Sequence, residues 1–255
     1  MRRWTIFLII GLLGLTGFFV WQCQSNKLMS EGRKEDGCFL WMDAYVALPI
    51  NSEFDIALTY YYFENERNYI HKEDISSITF EGVSNISVKD FSVQNVECEN
   101  DIYDGYAIHV TIEAMEKGMN YSESVLVQLQ DGKQYECPLG TWYFDVDEKD
   151  DGKVDAYSSA FMSTDSNKFN YTYMIKEGSN IVELQYWHDK VVKENVKETD
   201  SLPIANEAPF NYVKAKGIVE ENGEGYRFYG LGNYCGILGA EISDIELSFE
   251  HNKMK

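Results

Sequence analysis

VLVQLQDGKQYECPL, residues 125–139, sets two apolar triplets on either side of a polar turn: Val125, Val127 and Leu129 before it, Tyr135, Cys137 and Leu139 after it. A slip of one residue in a strand moves every side chain to the opposite face. The two triplets therefore share a face only if an odd number of residues separates the paired strands. A three-residue loop, Gln130–Asp131–Gly132, with the glycine in the left-handed region, meets that condition and is a common hairpin connection. The stretch predicts an antiparallel hairpin with one buried face.

The same period of two recurs along the chain. Phe54, Ile56, Leu58, Tyr60 and Tyr62 alternate with Asp55, Ala57, Thr59, Tyr61 and Phe63, and Ile108, Val110, Ile112 and Ala114 alternate with His109, Thr111 and Glu113. Phase slips, as between Val88 and Phe91, mark bulges or bends. Beyond residue 150 the pattern continues through Phe169–Ile175, Val182–Tyr186, Tyr226–Phe228 and Ala240–Phe249, the last with a slip at Ser243–Asp244. Residues 189–209, polar and holding Pro203 and Pro209, read as a long loop with a helical turn near 191–196. Many short alternating runs with few helical stripes predict an all-β chain of two β-sandwich, Ig-like units. The densest acidic run, DVDEKDDGKVD at 145–155, supplies the natural boundary, giving units at 38–146 and 147–255.

At the other end, WTIFLIIGLLGLTGFFVW, residues 4–21, carries no charge and follows Arg2 and Arg3. Eighteen residues span roughly 27 Å as a helix, enough for a thin hydrocarbon core. A tryptophan at each end matches an interfacial anchor, and the two arginines place the stub 1–3 in the cytoplasm. Residues 4–21 thus read as a transmembrane or signal-anchor helix, 22–37 as a linker, and everything after as extracytoplasmic at the cell membrane, or secreted if the signal is cleaved.

Composition narrows the partners. The chain has 42 Asp+Glu against 22 Lys+Arg, a formal net charge of −20. Affinity for nucleic acid comes largely from cationic contacts to phosphate, so no nucleic-acid partner is expected. Aromatics at 15% and only four prolines suit packed strands rather than a disordered stalk. Cys38, Cys98, Cys137 and Cys235 permit disulfides in an exported chain, with Cys98 and Cys137 the first pair to test because they share a half.

Two candidate sites emerge. In the acidic run, an EF-hand-like count back from Gly152 puts Asp147 at position 1 and Asp155 at position 9, but Lys149 at position 3 and Ser158 at position 12 break the pattern. Asp145, Asp147, Asp151 and Asp155 remain as calcium ligands in an irregular loop; the competing reading is a solvated acidic turn. The second candidate is a set of aromatics that parity turns outward: Tyr61, Phe63, Trp187 and Tyr229. Such rings form platforms for sugars or proteins unless another element covers them.

His71, His109, His188 and His251 have no metal-ligand spacing, no G-x-S-x-G occurs, and GLGNYCG at 230–236 lacks the third glycine of a dinucleotide loop. No cofactor is expected beyond calcium. The pattern points to a membrane-anchored extracytoplasmic binding or interaction module with no catalytic motif, presenting sandwich surfaces to a protein or glycan. The alternative is a cell-envelope hydrolase acting on glycan through carboxylates the sequence does not single out.

Overall fold

The structure is a computed structural model that describes residues 37–64, 68–96, 98, 102–151, 157–158, 164–194, 196–204, 206–236 and 241–254. The stub 1–3, the apolar stretch 4–21 and the linker up to residue 36 lie outside the described residues. Among the described residues, no helix is long and apolar enough to cross a membrane.

The fold is predominantly β. In chain order the strands are β1 (Cys38–Phe39), β2 (Met42–Pro49), β3 (Glu53–Phe63), β4 (Ile75–Phe80), β5 (Ile86–Val96), β6 (Tyr103–Ala114), β7 (Gly118–Leu129) and β8 (Gln134–Asp147). They continue as β9 (Tyr157–Ser158), β10 (Lys168–Met174), β11 (Asn180–Trp187), β12 (Lys190–Val192) and β13 (Thr199–Pro203). The last four are β14 (Phe210–Lys214), β15 (Lys216–Glu221), β16 (Glu224–Tyr229) and β17 (Asn233–Cys235), and an α-helix, α1 (Ile242–Met254), follows.

The hairpin predicted at 125–139 forms between β7 and β8. Val125 pairs with Cys137 and Val127 with Tyr135, the Leu129 N–H donates to the Lys133 carbonyl at 2.8 Å, and the loop is Gln130–Asp131–Gly132. Gly132 has φ +86°, where a Cβ is disfavoured. Val125 and Val127 are fully buried, as are Ile108, Val110, Ile112 and Ala114 on β6.

Two sheets enclose the larger core. One has the order β1-β3-β6-β5; the other, six-stranded, has the order β17-β14-β2-β8-β7-β4. Between them pack Ile56, Leu58, Ile108 and Val110 from the first, with Val46, Leu48, Trp142 and Phe144 from the second. Strands on both sides of residues 146 and 147 share the six-stranded sheet, because β14 and β17 extend it beyond β2. β2 runs parallel to both of its neighbours, β14 and β8. Residues Ala44–Leu48 are 0% exposed, as expected of a parallel strand buried on both faces and read as a continuous apolar run.

The opposite face of β2 starts a second core. Tyr45 and Ala47 pack there with Phe169, Tyr171 and Tyr173 of β10, Leu184, Tyr186 and Trp187 of β11, Val213 of β14 and Phe228 of β16. Apart from Tyr45, Ala47 and Val213, which belong to the six-stranded sheet, these residues come from the sheets β13-β10-β9 and β12-β11-β15-β16. Lys214 closes the seam between the cores. It is 7% exposed, its ammonium donates to the Gly230 carbonyl at 2.6 Å and lies 4.8 Å from the Phe54 ring centroid. Burial pulls its pKa down to about 8 against an attraction from Asp150.

Three expectations are corrected. Residues 242–254 form a helix rather than a strand: Ile245, Ser248 and Phe249 are buried while Leu247 is exposed, a spacing of three and four that mimics alternation with a slip. The Glu241 N–H donates to the Asp244 carboxylate at 3.0 Å, a capping contact at the start of the helix. Residues 189–209 are not a loop with a helical turn, since they contain β12 and β13. Their polar residues suit strands at sheet edges, where one side faces water. Cys98 and Cys137 are not joined, and no disulfide links any two of Cys38, Cys98, Cys137 and Cys235. Cys137 packs against the main core, whereas Cys98 packs against a small cluster beneath α1.

Phe249 is 4% exposed and packs with Tyr61, Tyr103 and Ile245. Phe249→Ala is expected to destabilise the protein by about 3 kcal/mol in chemical denaturation, through lost transfer energy and the cavity left behind. Lys214→Met is expected to stabilise it by about 2 kcal/mol at pH 7, after allowing for the lost bond to Gly230. Below pH 8 the lysine is charged in both folded and unfolded states and the fold bears the full cost of burying it. Between about 8 and 10.5 the folded state releases its proton first, so wild-type stability rises with pH and the advantage of Lys214→Met shrinks. Denaturation at pH 7 and pH 10 measures both effects.

Candidate functional site

Of the four aromatics expected to face outward, Tyr61, Trp187 and Tyr229 are buried and Phe63 is half-buried. Tyr61 does point away from Tyr60, but α1 covers it and leaves it 5% exposed. Gly105 permits this closure, since a Cβ there would lie 2.9 Å from the Tyr61 ring. Phe63 packs against Phe249 and Tyr103 with tilted rings, 5.0 Å apart by centroid in each pair. Trp187 is 4% exposed, turned inward by register shifts at 181–183 and 185–187 of β11. Tyr229 is 9% exposed and its hydroxyl donates to the Glu148 carbonyl. They form no exposed platform.

The acidic candidates divide. Asp155 lies outside the described residues. Asp145 and Asp147 sit at the end of β8, where Lys216 Nζ reaches both carboxylates at 2.9 Å and Arg227 reaches Asp147 at 2.6 Å. The Tyr45 hydroxyl donates to Asp145 at 2.6 Å, and burial followed by the Asp145 charge pushes that phenol far up. For Asp147, burial works against ionisation, but Lys216, the Glu148 N–H and Arg227 together hold its carboxyl below the usual range. Asp151 accepts the Arg227 backbone N–H at 2.8 Å. Two of the expected calcium ligands are thus engaged by protein cations, and the cluster joins β8 to β15 and β16. Among the described residues no group of three or more His, Cys, Asp or Glu is arranged to hold a metal.

An exposed aromatic strip exists elsewhere. Between Ser122 and Ser124 the β7–β8 register shifts: Ser122 pairs with Trp142 but Ser124 with Pro138, so Glu123 faces three residues of β8. Inward parity on β7 moves from Val125 and Val127 to Ser122, and on β8 from Leu139 to Trp142 and Phe144. Tyr121, which plain alternation from Val125 would bury, is therefore turned out and is 60% exposed. Its cross-strand partner Tyr143 lies 5.9 Å away by ring centroid, and His188, just after β11, stacks on Tyr143 at 4.0 Å and 11°. The second core covers this sheet face at β2 and β14 and ends at His188, leaving β7 open.

Beside the strip runs a groove of about 1040 Å³, bordered by Glu81, Tyr121, Glu123, Ser124, Glu136 and, at one end, Asn252 of α1. A recess of about 260 Å³ continues from it past Tyr60, Tyr69 and Tyr135. The lining is acidic. Ser124 Oγ lies 2.7 Å from Glu81 Oε2 and 3.4 Å from Glu136 Oε1. The Glu81 N–H donates to the Ser124 carbonyl at 3.1 Å, which fixes the approach of the first carboxylate. Burial, then Asp43, Asp189, Tyr121 and Glu123, push the Tyr143 phenol up, so it stays a neutral donor. Flat rings beside hydrogen-bonding groups in a long open groove suit an extended ligand that stacks as well as bonds.

No protein-family model matches the chain, and no curated protein matches it. Among solved structures, SGBP-B of the Bacteroides ovatus mixed-linkage glucan utilization locus, in complex with a mixed-linkage heptasaccharide, aligns with a TM-score of 0.23 and 14% identity. The alignment covers 75% of this chain and 43% of that one, so the chain spans less than half of that structure. Fibronectin(III)-like modules of Clostridium thermocellum CbhA align with a TM-score of 0.21 and 9% identity, over 79% of this chain and 94% of that one.

Among the described residues, Lys216 is the one cation that meets both Asp145 and Asp147. Lys216→Met is expected to cost about 3–5 kcal/mol, because it strands the buried Asp145 charge. Asp147→Asn, which leaves Lys216 with Asp145, is expected to cost less. Urea denaturation of the two variants at pH 7 checks the order.

Proposed function

We propose that the chain is a non-catalytic binding module of the cell envelope, held at the membrane through residues 4–21 with its Ig-like sandwich units, drawn at 38–146 and 147–255, on the outer side. Its ligand is a glycan, taken up along the outer face of β7 and β8. The observation that carries this reading is the strip Tyr121–Tyr143–His188 beside the groove of about 1040 Å³. Tyr121 stands 60% exposed on the open half of that face, with its ring against Tyr143. The ring faces stack on the apolar faces of sugars, and the carboxylates accept their hydroxyls. A surface this acidic repels anionic polymers.

The carboxylates Glu81 and Glu136, brought together at Ser124, are the specific observation behind a second reading, a glycan hydrolase that uses such a pair as acid and base. Both are exposed, and open solvent around them favours binding over catalysis.

Tyr121→Ala is expected to weaken retention of the full-length chain on insoluble cell-wall glycan at least ten-fold, a loss of about 1.4 kcal/mol, with an unchanged melting temperature. Retention unaffected by Tyr121→Ala would overturn the placement of the ligand. Release of new reducing ends from the glycan by wild type, abolished by Glu136→Gln, would favour the hydrolase instead.

A further inference from the structure

We infer that the recess beside the groove receives the acetamido group of an N-acetylated sugar, with Asn252 of α1 accepting its amide N–H; this rests on the glycan-binding reading above and names the class of its ligand. The groove and the recess share a sill formed by Glu136, Pro138 and Asn252. At about 260 Å³, the recess falls below the roughly 300–1,000 Å³ of pockets that enclose a whole small molecule. Its size suits a substituent carried in by a ligand that lies mainly in the groove.

The lining of the recess is largely apolar and its polar atoms are mostly engaged. Tyr60 and Ile70 are buried there, with Tyr69, Tyr135 and Cys137 half-buried around them. The Tyr60 hydroxyl donates to Asn68 Oδ1 at 3.3 Å, the Ile70 N–H donates to the same oxygen at 3.0 Å, and Asn68 Nδ2 donates to the Ile70 carbonyl at 3.0 Å. Asn252 differs. Among the described residues its Oδ1 is buried without a hydrogen-bond partner, an arrangement that costs free energy until a donor is supplied. The residue as a whole is half-buried, so a turn of its side chain can bring that oxygen to a donor arriving from the groove.

An acetamido group supplies both things this corner lacks: one N–H for the Asn252 oxygen and a methyl group for the apolar wall. Its carbonyl stays at the open mouth, within reach of water. A ring hydroxyl in the same place also donates to Asn252 but leaves the apolar space unfilled, and a charged amine sets an ion against an apolar wall. Tyr121 and Asn252 border the same groove, so one glycan chain can stack on the first and hand a substituent to the second. The pair then distinguishes an N-acetylated hexosamine from a plain hexose.

The test is calorimetry on the full-length chain in detergent at pH 7. Its three probes are a hexamer of β-1,4-linked N-acetylglucosamine, a hexamer of β-1,4-linked glucose, and hexalysine acetylated on every side chain. The N-acetylated sugar is expected to bind at least about ten-fold more tightly than the glucose hexamer, the scale on which a pocket discriminates by one small group. Asn252→Leu, which removes the acceptor, should abolish that preference; Asn252→Asp, which keeps an oxygen there, should retain it. Cys137→Phe, which narrows the recess, should also abolish it, with the melting temperature reporting whether the fold is intact.

Tyr121→Ala should weaken both sugars and leave the ratio between them unchanged. Equal binding of the two sugars that still depends on Tyr121, or a preference that survives both Asn252→Leu and Cys137→Phe, overturns this inference while the glycan-binding reading stands. Loss of the preference in Asn252→Asp and Asn252→Leu alike overturns the acceptor role. Binding of neither sugar overturns both readings. Acetylated hexalysine bound as tightly as the N-acetylated sugar, and indifferent to Tyr121→Ala, overturns this inference in favour of an acylated peptide.

Discussion

Everything in this structure hangs from one strand that has no solvent face. Ala44–Leu48 of β2 are completely buried, with Ala44, Val46 and Leu48 in one core and Tyr45 and Ala47 in the other. Burying Val46 and Leu48 contributes on the order of 2 kcal/mol each, and neither core can be assembled without the strand between them. The parallel pairing on both sides follows from the same constraint: β14 enters from the far end of the chain and lies beside β2, so the six-stranded sheet becomes a middle layer.

A polar contact on that buried outer face costs free energy unless it is satisfied. The Tyr45 hydroxyl meets this condition through Asp145, and Asp145 in turn through Lys216. An acidic run that looks like a solvated turn therefore spends two of its carboxylates inside the structure. The charges belong to the join between the middle sheet and β15 and β16, whereas Glu81, Glu123 and Glu136 border the groove at the opposite end of the sheet.

Which aromatics face water is decided by irregularities of one or two residues. On β7 the shift between Ser122 and Ser124 turns Tyr121 out; on β11 the shifts around Glu183 and Tyr186 turn Trp187 in. The two tyrosines of β3 and β7 make the comparison sharp. Tyr61 has the outward parity its spacing implies but lies beneath α1, while Tyr121 has inward parity by the count from Val125 and stands 60% exposed. Partial coverage of the middle sheet by the second core then leaves an open ledge where Tyr121, Tyr143 and the groove meet.

The chain's alternation alone determined the β character, the hairpin at 125–139 with its three-residue loop, and the inward sets on β3 and β6, because a strand with one wet face writes a period of two into its residues. The run AYVAL at 44–48 also carries the mark of a doubly buried strand, though nothing local says which strands flank it. The helix at 242–254, the burial of Tyr61 and Trp187, the engagement of Asp145 and the exposure of Tyr121 were decided by tertiary structure. Each depends on what a distant segment places over a sheet face, or on a bulge whose position is set jointly by two strands, and neither quantity is a property of a single stretch of sequence.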